Sequence, residues 1–426
     1  MKLDMTRRGL MAASLGGAMT QLQAQGQAGW KAGAAKVAIT PTGPIWMVGY
    51  AFRNKPSEGV RKDIHVKALA LQDEHGKTAV ILTSDVVGIK RELADIIAGR
   101  CEKQYGLSRD RLTINSSHTH TGPALGNVKP KDFPEQEEIV RRYTDGFLDK
   151  CVQVVGTAIQ NLAPATLHWA QGLAGFAVNR RRDRDRVGMR HLPAPVDHDV
   201  PVLAARRPDG SVSAVLFGYA CHNTSLGDYK ISADYAGFAQ EALEKVHPNA
   251  VALFMQGCGA DSNPLPRYHN SDPALVHYSE ELSSMYGRIL AASVDLVLHG
   301  KMTPVAGPLK TVLERVDVPL AESKAGLKSY PYPIQVLRFG DALKMVVLAG
   351  EVVVDYSLAI KARHGWEDTW VASYSNDMPG YIPSVRVLKE GGYETRGGSA
   401  GTFAPAVEEI ILGKVSNLVE RTAREA

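Results

Sequence analysis

The stretch Thr-Ile-Asn-Ser-Ser-His-Thr-His-Thr-Gly-Pro, residues 113–123, is the one around which the chain is organised. It begins as a β-branched run typical of a strand, and Gly122-Pro123 then punctuates the chain. His118 and His120 therefore lie in a loop at the end of a strand, which is where ligands bind in open α/β sheets. If the backbone stays extended, both rings point to the same side, so that one imidazole holds a metal while the other moves protons. The alternative is a pair of polar loop residues.

The composition is that of an ordinary globular protein. The chain has 426 residues, a formal net charge of +4 and 44% hydrophobic residues, enough for one large domain or two modest ones. So small a net charge over this length argues against a dedicated nucleic-acid-binding protein.

The N-terminus predicts an export signal rather than part of the fold. Arg7 and Arg8 precede a weakly apolar stretch at residues 11–19, which is typical of a twin-arginine signal peptide over residues 1–28. A chance Arg-Arg pair is the alternative. The apolar stretch is too short and too rich in glycine to span a bilayer stably, and no later segment is predicted to be transmembrane. The mature protein is therefore expected in the periplasm or secreted, with one domain at residues 30–426.

Strand and helix patterns alternate along the rest of the chain. Predicted strands span residues 36–39, 65–71, 78–84, 112–115, 166–170, 202–205, 212–220, 250–256, 311–318, 334–339, 344–349 and 370–374. Predicted helices span residues 91–105, 135–162, 236–246, 275–298, 351–363 and 405–424. The alternation predicts an α/β fold, with one large domain, a mixed, mainly parallel sheet flanked by helices, and an active site at the carboxyl ends of the strands.

Further polar residues follow the ends of predicted strands, namely His222, Glu351 and the loop at residues 374–381. Two histidines and one carboxylate, with one position left for water or a weak oxygen ligand, form the composition of a catalytic zinc site. Spacing alone also fits structural or solvated histidines. Ligating histidines usually donate their other N–H to an acceptor. Three aspartates are expected either in that role or in turns: Asp85, Asp234 and Asp261.

The stretch around the two histidines also resembles the Thr-His-Thr-His-Ser-Gly-Pro motif of neutral ceramidases, the zinc amidases that cleave the N-acyl bond of sphingolipids. Several independent motifs in one order are hard to obtain by chance. The further matches, in the order of the family, are Asn179-Arg180, His222 with Ile231 to Gly237 downstream, Gly350-Glu351, Gly380-Tyr381 and Gly391-Gly392-Tyr393-Glu394. The resemblance spans residues 36–397.

The resemblance implies a role for each matched residue. The implied ligands of Zn²⁺ are His118, His222, Glu351 and Tyr381. The implied residues at the reacting carbonyl are His120 as general base and then acid, and Arg180 and Tyr393 as donors to the developing oxyanion. Two of these residues also fit a structural role. Tyr381 could pack in a turn, and Arg180 could belong to a solvated basic face.

These residues predict an exported zinc-dependent hydrolase that cleaves an amide (N-acyl) or similar bond by metal-activated water. Its substrate would be a small molecule, either a lipid or a glycoconjugate. One alternative is a zinc hydrolase of another bond, such as an ester, a lactone or a glycoside. The other is a non-catalytic relative that binds a ligand, although the presence of His120, Arg180 and Tyr393 argues against it.

Two departures from the family pattern bear on mechanism and substrate. The position of the family's proposed serine falls on Gly257, so a covalent serine route is not expected. Cys258 is a minor candidate nucleophile, since a small cysteine in a tight turn is usually a buried packing residue. The chain also ends after one closing helix, without the immunoglobulin-like tail domain of ceramidases, which puts ceramide itself in question as the substrate.

Overall fold

A computed structural model describes residues 29–181, 194–267, 276–323 and 326–424. The predicted twin-arginine segment, residues 1–28, lies outside the described residues. Numbered in chain order, the described strands are β1 (Trp30–Ala38), β2 (Gly59–Val60), β3 (His65–Gln72), β4 (Thr78–Ser84), β5 (Leu112–Ser116), β6 (Ala163–Leu173), β7 (Ala177–Asn179), β8 (Asp199–Arg206), β9 (Val212–Tyr219), β10 (Lys230–Ile231), β11 (Val251–Gln256), β12 (Ser262–Pro264), β13 (Thr303–Val305), β14 (Leu309–Ser323), β15 (Ser329–Phe339), β16 (Leu343–Leu348), β17 (Glu351–Val352), β18 (Thr369–Ala372), β19 (Tyr381–Ile382) and β20 (Gly401–Phe403).

The helices lie on the outside of these strands. In chain order they are α1 (Arg91–Tyr105), α2 (Glu135–Gln160), α3 (Asp234–Val246), α4 (Val276–His299), α5 (Val354–His364), α6 (Val385–Glu390) and α7 (Val407–Arg424). Within the described ranges, none of these helices combines the length and the apolar character needed to cross a membrane.

Two sheets face each other in the centre of the molecule. The larger has the order β11-β9-β8-β6-β1-β3-β4-β5, with β13 beside β6, and the smaller has the order β18-β16-β15-β14-β20. Side chains from both inner faces form one apolar core, which includes Leu69 and Leu216 of the larger sheet and Phe339 and Trp370 of the smaller. Helices α1 to α4 cover the outer face of the larger sheet, and α5 and α7 cover that of the smaller. The result is four layers, helix, sheet, sheet and helix.

The side-chain pattern of a central strand explains this layering. Along β3, Val66 and Ala68 face helices α1 and α2, whereas Leu69 and Leu71 face the smaller sheet. Successive residues of a strand point to opposite faces, and here both faces are covered. A strand buried on both faces therefore has a nearly continuous apolar sequence.

The predicted α/β class, with a mixed sheet flanked by helices, is confirmed. The expectation that the sheet is mainly parallel is wrong, because most neighbouring strands run antiparallel. In the two large sheets the parallel pairs are β4–β5, β9–β11 and β16–β18. Each of these pairs is joined through a helix, α1, α3 or α5, and short connections can join only antiparallel neighbours.

The ends of the parallel strands mark the edge where the two sheets meet. Bridges join Asn115 to Ser375 and Gly257 to Ala372, so β5 and β11 of the larger sheet contact the end of β18. Among the described non-glycine residues in the left-handed region, several border this edge: His118, Asp234, Tyr374 and Asn376. Such conformations persist where the surrounding structure enforces them, and they concentrate at functional sites.

Candidate metal centre

Three of the four predicted ligands meet at this edge. His118 follows β5, His222 follows β9, and Glu351 is the first residue of β17. Glu351 Oε2 lies 3.3 Å from His118 Nε2 and 3.4 Å from His222 Nε2. Both histidines are buried, and the Glu351 side chain is 14% exposed. Two imidazoles from separate segments therefore converge on one carboxylate oxygen.

Backbone carbonyl groups orient both imidazoles. His118 Nδ1 lies 2.5 Å from the Val87 carbonyl oxygen, and His222 Nδ1 lies 2.7 Å from that of Gly259. Because Nδ1–H donates to the carbonyl, Nε2 is left as the lone-pair atom that faces Glu351. Gly259 is required for this approach, since a Cβ at that position would lie 2.6 Å from the backbone nitrogen of Cys221.

The three aspartates expected as acceptors for these histidines have other partners. Asp85 accepts from the backbone N–H of His65 at 2.9 Å. Asp234 accepts from Leu226 N–H and Asp261 from Val354 N–H, so both hold loops of the backbone. The expectation of a carboxylate acceptor is therefore wrong, and the carbonyl oxygens of Val87 and Gly259 take that role. Asp234 and Asp261 are both buried and anchor loops of the backbone.

The charges of the cluster suit a cation. Burial by itself would raise the pKa of Glu351, but His118 and His222 hold it well below its ordinary value. Burial and then the nearby Arg180 charge lower the pKa of His222 to about 4. An ionised Glu351 and a neutral His222 are the forms that metal binding requires.

The separations of the donor atoms also suit zinc. The buried atoms His222 Nε2 and Glu351 Oε2 make no well-formed hydrogen bond with any described residue. A tetrahedral zinc with ligand bonds of about 2.0–2.1 Å holds neighbouring donor atoms about 3.3 Å apart. The separations from Glu351 to the two histidines, 3.3 and 3.4 Å, agree with that value. These residues therefore fit a zinc ion.

His120 reaches the same cluster. Its Nε2 lies 3.0 Å from His118 Nε2, and ring nitrogens of His118, His120 and His222 all lie within 4.8 Å of one another. The backbone is not extended here, because His118 has a φ of 60°. The turn at His118, rather than the period of a strand, brings both rings into one pocket. The structure thus places His120 at ligand distance, whereas the resemblance implies a proton-transfer role.

Tyr381 lies beside the carboxylate through a pairing that the sequence did not predict. Glu351 was expected to begin a helix, but it begins the short strand β17, and helix α5 begins at Val354. Strand β17 pairs in parallel with β19, so that Glu351 is directly opposite Tyr381. The Tyr381 hydroxyl accepts from Arg180 Nη2 at 3.4 Å. Burial and the Glu351 charge raise the pKa of Tyr381 well above its ordinary value, so the protein alone keeps it a phenol.

Arg180 is held in place rather than solvated. Its Nε donates to Glu394 Oε1 at 2.7 Å, and the other oxygen of Glu394 accepts from Arg181. Glu394 is 2% exposed, so its charge is compensated by these two arginines. The Tyr393 ring lies 5.3 Å from the Arg180 guanidinium carbon, and its side chain reaches the surface. All seven predicted site residues therefore lie in or beside one cluster, with Tyr393 at its outer side.

Sequence reasoning missed two residues of this site. It gave no role to Glu394, although Glu394 ends the matched Gly-Gly-Tyr-Glu motif. It named Tyr374 only as the start of a loop after a strand. The Tyr374 ring centroid lies 4.4 Å from that of His118, and the buried hydroxyl makes no hydrogen bond with a described residue. The position after a strand end was the available signal in the sequence.

The segment that departs from the family's serine motif is tightly packed. A Cβ on Gly257 would lie 3.2 Å from Ala220 Cα, so a side chain at this position would be crowded. Cys258 is fully buried in the core of the smaller sheet, and burial raises the pKa of its thiol well above the ordinary value. A reactive cysteine needs a lowered pKa and access, and Cys258 has neither.

The fold and the site together define a four-layer α/β protein with a buried cluster of histidines and one carboxylate where its two sheets meet. A sequence model of the family described as neutral/alkaline non-lysosomal ceramidase, N-terminal, matches residues 30–264, more than half of the chain. The chain therefore belongs to the neutral/alkaline non-lysosomal ceramidase family, and the resemblance stated from its motifs is confirmed.

Known relatives share part of their length with this chain. Neutral ceramidase A from Dictyostelium discoideum is 24% identical over 249 residues, which is 52% of this chain and 34% of that protein. Neutral ceramidase from Drosophila melanogaster is 24% identical over 250 residues, which is 52% of this chain and 33% of that protein. The chain thus matches about a third of the length of these relatives. The crystal structure of neutral ceramidase from Pseudomonas aeruginosa has the same fold, with a TM-score of 0.74, 17% identity, and coverage of 92% of this chain and 75% of that one.

Proposed function

We propose that this chain is a zinc-dependent hydrolase that cleaves the amide (N-acyl) bond of a small-molecule substrate of lipid character. One observation carries the proposal, namely the convergence of His118 Nε2 and His222 Nε2 on Glu351 Oε2. Membership in a family whose named relatives are neutral ceramidases supports the choice of an amide bond. In this reading the catalytic domain is residues 30–426.

The residues divide into holding and reacting groups. Bound between His118, His222 and Glu351, with Tyr381 beside them, zinc would polarise the substrate carbonyl and make water acidic enough to react near neutral pH. Burial and then the neighbouring imidazoles hold the pKa of His120 well below its ordinary value, so the ring is in its neutral form. His120 Nε2 takes that proton from the attacking water and returns it to the leaving amine.

Arg180 and Tyr393 act on the carbonyl oxygen. Negative charge develops on this oxygen as the bond is attacked, and fixed donors stabilise it. Arg180 suits this role because Glu394 holds its Nε, which leaves its Nη atoms for the site. Tyr393 lies against Arg180 and reaches the surface, so its hydroxyl meets the substrate from the outer side.

A substrate panel tests the proposal. Purified zinc-loaded protein would be assayed with N-acyl amides, carboxylic esters, a lactone and glycosides of matched acyl or aglycone size. We expect turnover of an amide, and its loss in Glu351→Gln, which keeps the shape of the side chain but removes the charge. The exposed Glu92→Gln on α1 is the matched control and should keep full activity.

Turnover restricted to esters or glycosides would replace the amidase assignment with the corresponding zinc hydrolase. Tight binding of an N-acyl lipid without turnover of any substrate would identify a binding protein.

Export through the twin-arginine route is also proposed, from Arg7 and Arg8 ahead of the weakly apolar stretch. Cell fractionation should find the wild-type chain in the periplasm or the medium. The double substitution Arg7→Lys and Arg8→Lys should retain it in the cytoplasm. An unchanged distribution of the double variant would contradict this route.

A further inference from the structure

Tyr374 lies at the candidate metal centre but has no role in the mechanism proposed above. The side chain is 2% exposed, and its ring centroid lies 4.4 Å from that of His118 and 6.3 Å from that of His222. Its hydroxyl is buried and makes no hydrogen bond with any residue that the structure describes. A buried hydroxyl without a partner costs free energy, so native proteins seldom leave one.

Other fully buried tyrosines show how the fold normally treats this group. Their hydroxyls donate to backbone carbonyl oxygens: Tyr219 to Ala174 at 2.6 Å, Tyr235 to Cys221 at 2.5 Å, Tyr332 to Ala349 at 2.7 Å and Tyr356 to Pro383 at 3.0 Å. Tyr374 departs from this pattern, and it does so next to His118 and the candidate metal centre. Within the described residues this hydroxyl is therefore an unused hydrogen-bond donor beside the candidate metal centre.

The backbone fixes Tyr374 between two segments that bear ligands. Its N–H donates to the Gly350 carbonyl at 3.0 Å, directly before Glu351. Its own carbonyl accepts from the Ser116 N–H at 3.2 Å, two residues before His118. The residue has a φ of 54°, a conformation that costs a non-glycine residue free energy. Tyr374 is thus held at the site in a strained backbone conformation and with an unpaired hydroxyl.

We propose that the Tyr374 hydroxyl is a catalytic group of this site, which donates a hydrogen bond to the acyl carbonyl oxygen of the substrate as negative charge develops on that oxygen. The inference rests on the proposed function. Tyr374 and Arg180 then donate to the same oxygen, and the developing negative charge strengthens both bonds.

Tyr374→Phe tests the role, because it removes the hydroxyl and keeps the ring against His118. We expect an unfolding temperature equal to or above that of the wild type, since no hydrogen bond within the protein is lost. We also expect full zinc content and a fall in kcat of about 100-fold, with KM little changed, as for the loss of one oxyanion donor.

Tyr332→Phe is the matched control, because its hydroxyl donates to the Ala349 carbonyl in the core of the smaller sheet. This variant should unfold at a lower temperature than the wild type and keep its kcat. A merely structural Tyr374 would behave like Tyr332, with lowered stability and unchanged kcat, and that result would overturn the proposal.

Two further outcomes also overturn it. Loss of zinc from Tyr374→Phe would make the residue a metal ligand rather than a substrate donor. If the wild type hydrolyses an amide and Tyr374→Phe is equally active and equally stable, Tyr374 has no role in the reaction, and the proposed function stands. A wild type that hydrolyses no amide would instead remove the proposed function, and this role with it.

Discussion

Replacing His222 with alanine is expected to remove zinc from the protein and to reduce hydrolysis to background. The wild type should hold one zinc per chain when it is purified without chelators. His222 supplies one of the two Nε2 atoms that face Glu351 Oε2, and its loss leaves an incomplete ligand set around a buried carboxylate. Elemental analysis of both proteins at equal concentration measures the effect directly.

A stability measurement gives the same prediction a second readout. A ligand that binds only the folded protein stabilises it by about 4 kcal/mol at a thousandfold excess over its Kd. Chelator should therefore lower the unfolding temperature of the wild type and leave that of His222→Ala unchanged. His247→Ala is the control. His247 follows the end of α3 and pairs with Asp295 of α4, so this variant should keep its zinc and its response to chelator.

Zinc at full stoichiometry in His222→Ala would show that the metal lies elsewhere. A wild type without zinc after purification and reloading would contradict the whole centre. Either result would leave the assignment to the family unchanged, because the family match does not depend on the metal.

The second large effect is expected at His120. His120→Ala should keep zinc near one per chain and lower turnover by about 10²- to 10⁴-fold, or about 3–5 kcal/mol of barrier. That range is the usual contribution of a positioned general base. His118→Ala should instead lose zinc and activity together, because His118 Nε2 faces Glu351 Oε2.

The geometry makes this comparison decisive. His120 Nε2 lies 3.0 Å from His118 Nε2, so His120 is close enough to be a ligand itself. Release of zinc from both variants would assign His120 to the metal and require another base. Unchanged turnover in both variants would move the chemistry away from this cluster.

Some of the fold and much of the site can be predicted from local pattern. The strands that end before His118 and His222 follow from a β-branched run in the first and a largely apolar run in the second, and both are present as predicted. The motifs around Glu351 and Tyr381 indicated that these residues belong together, and their pairing in β17 and β19 brings them side by side. These predictions succeed because a side-chain period and a motif are properties of neighbouring residues.

The direction of the strands could not be predicted in the same way. Alternating strands and helices suggested a mainly parallel sheet, but hairpins such as β3–β4 and β8–β9 make most pairs antiparallel. Only α1, α3 and α5 return the chain to a parallel neighbour. The order of strands depends on packing between distant segments, which a local pattern does not contain.

By itself, the sequence determined which residue types could form the centre: two histidines and a carboxylate after strands, an arginine and two tyrosines in matched motifs. Tertiary structure alone decided what orients them. The carbonyl oxygens of Val87 and Gly259 hold the two imidazoles, and Glu394 holds Arg180. Every residue carries a carbonyl group, so such contacts leave no mark in the sequence, and they form only when strands far apart in the chain end at the same edge.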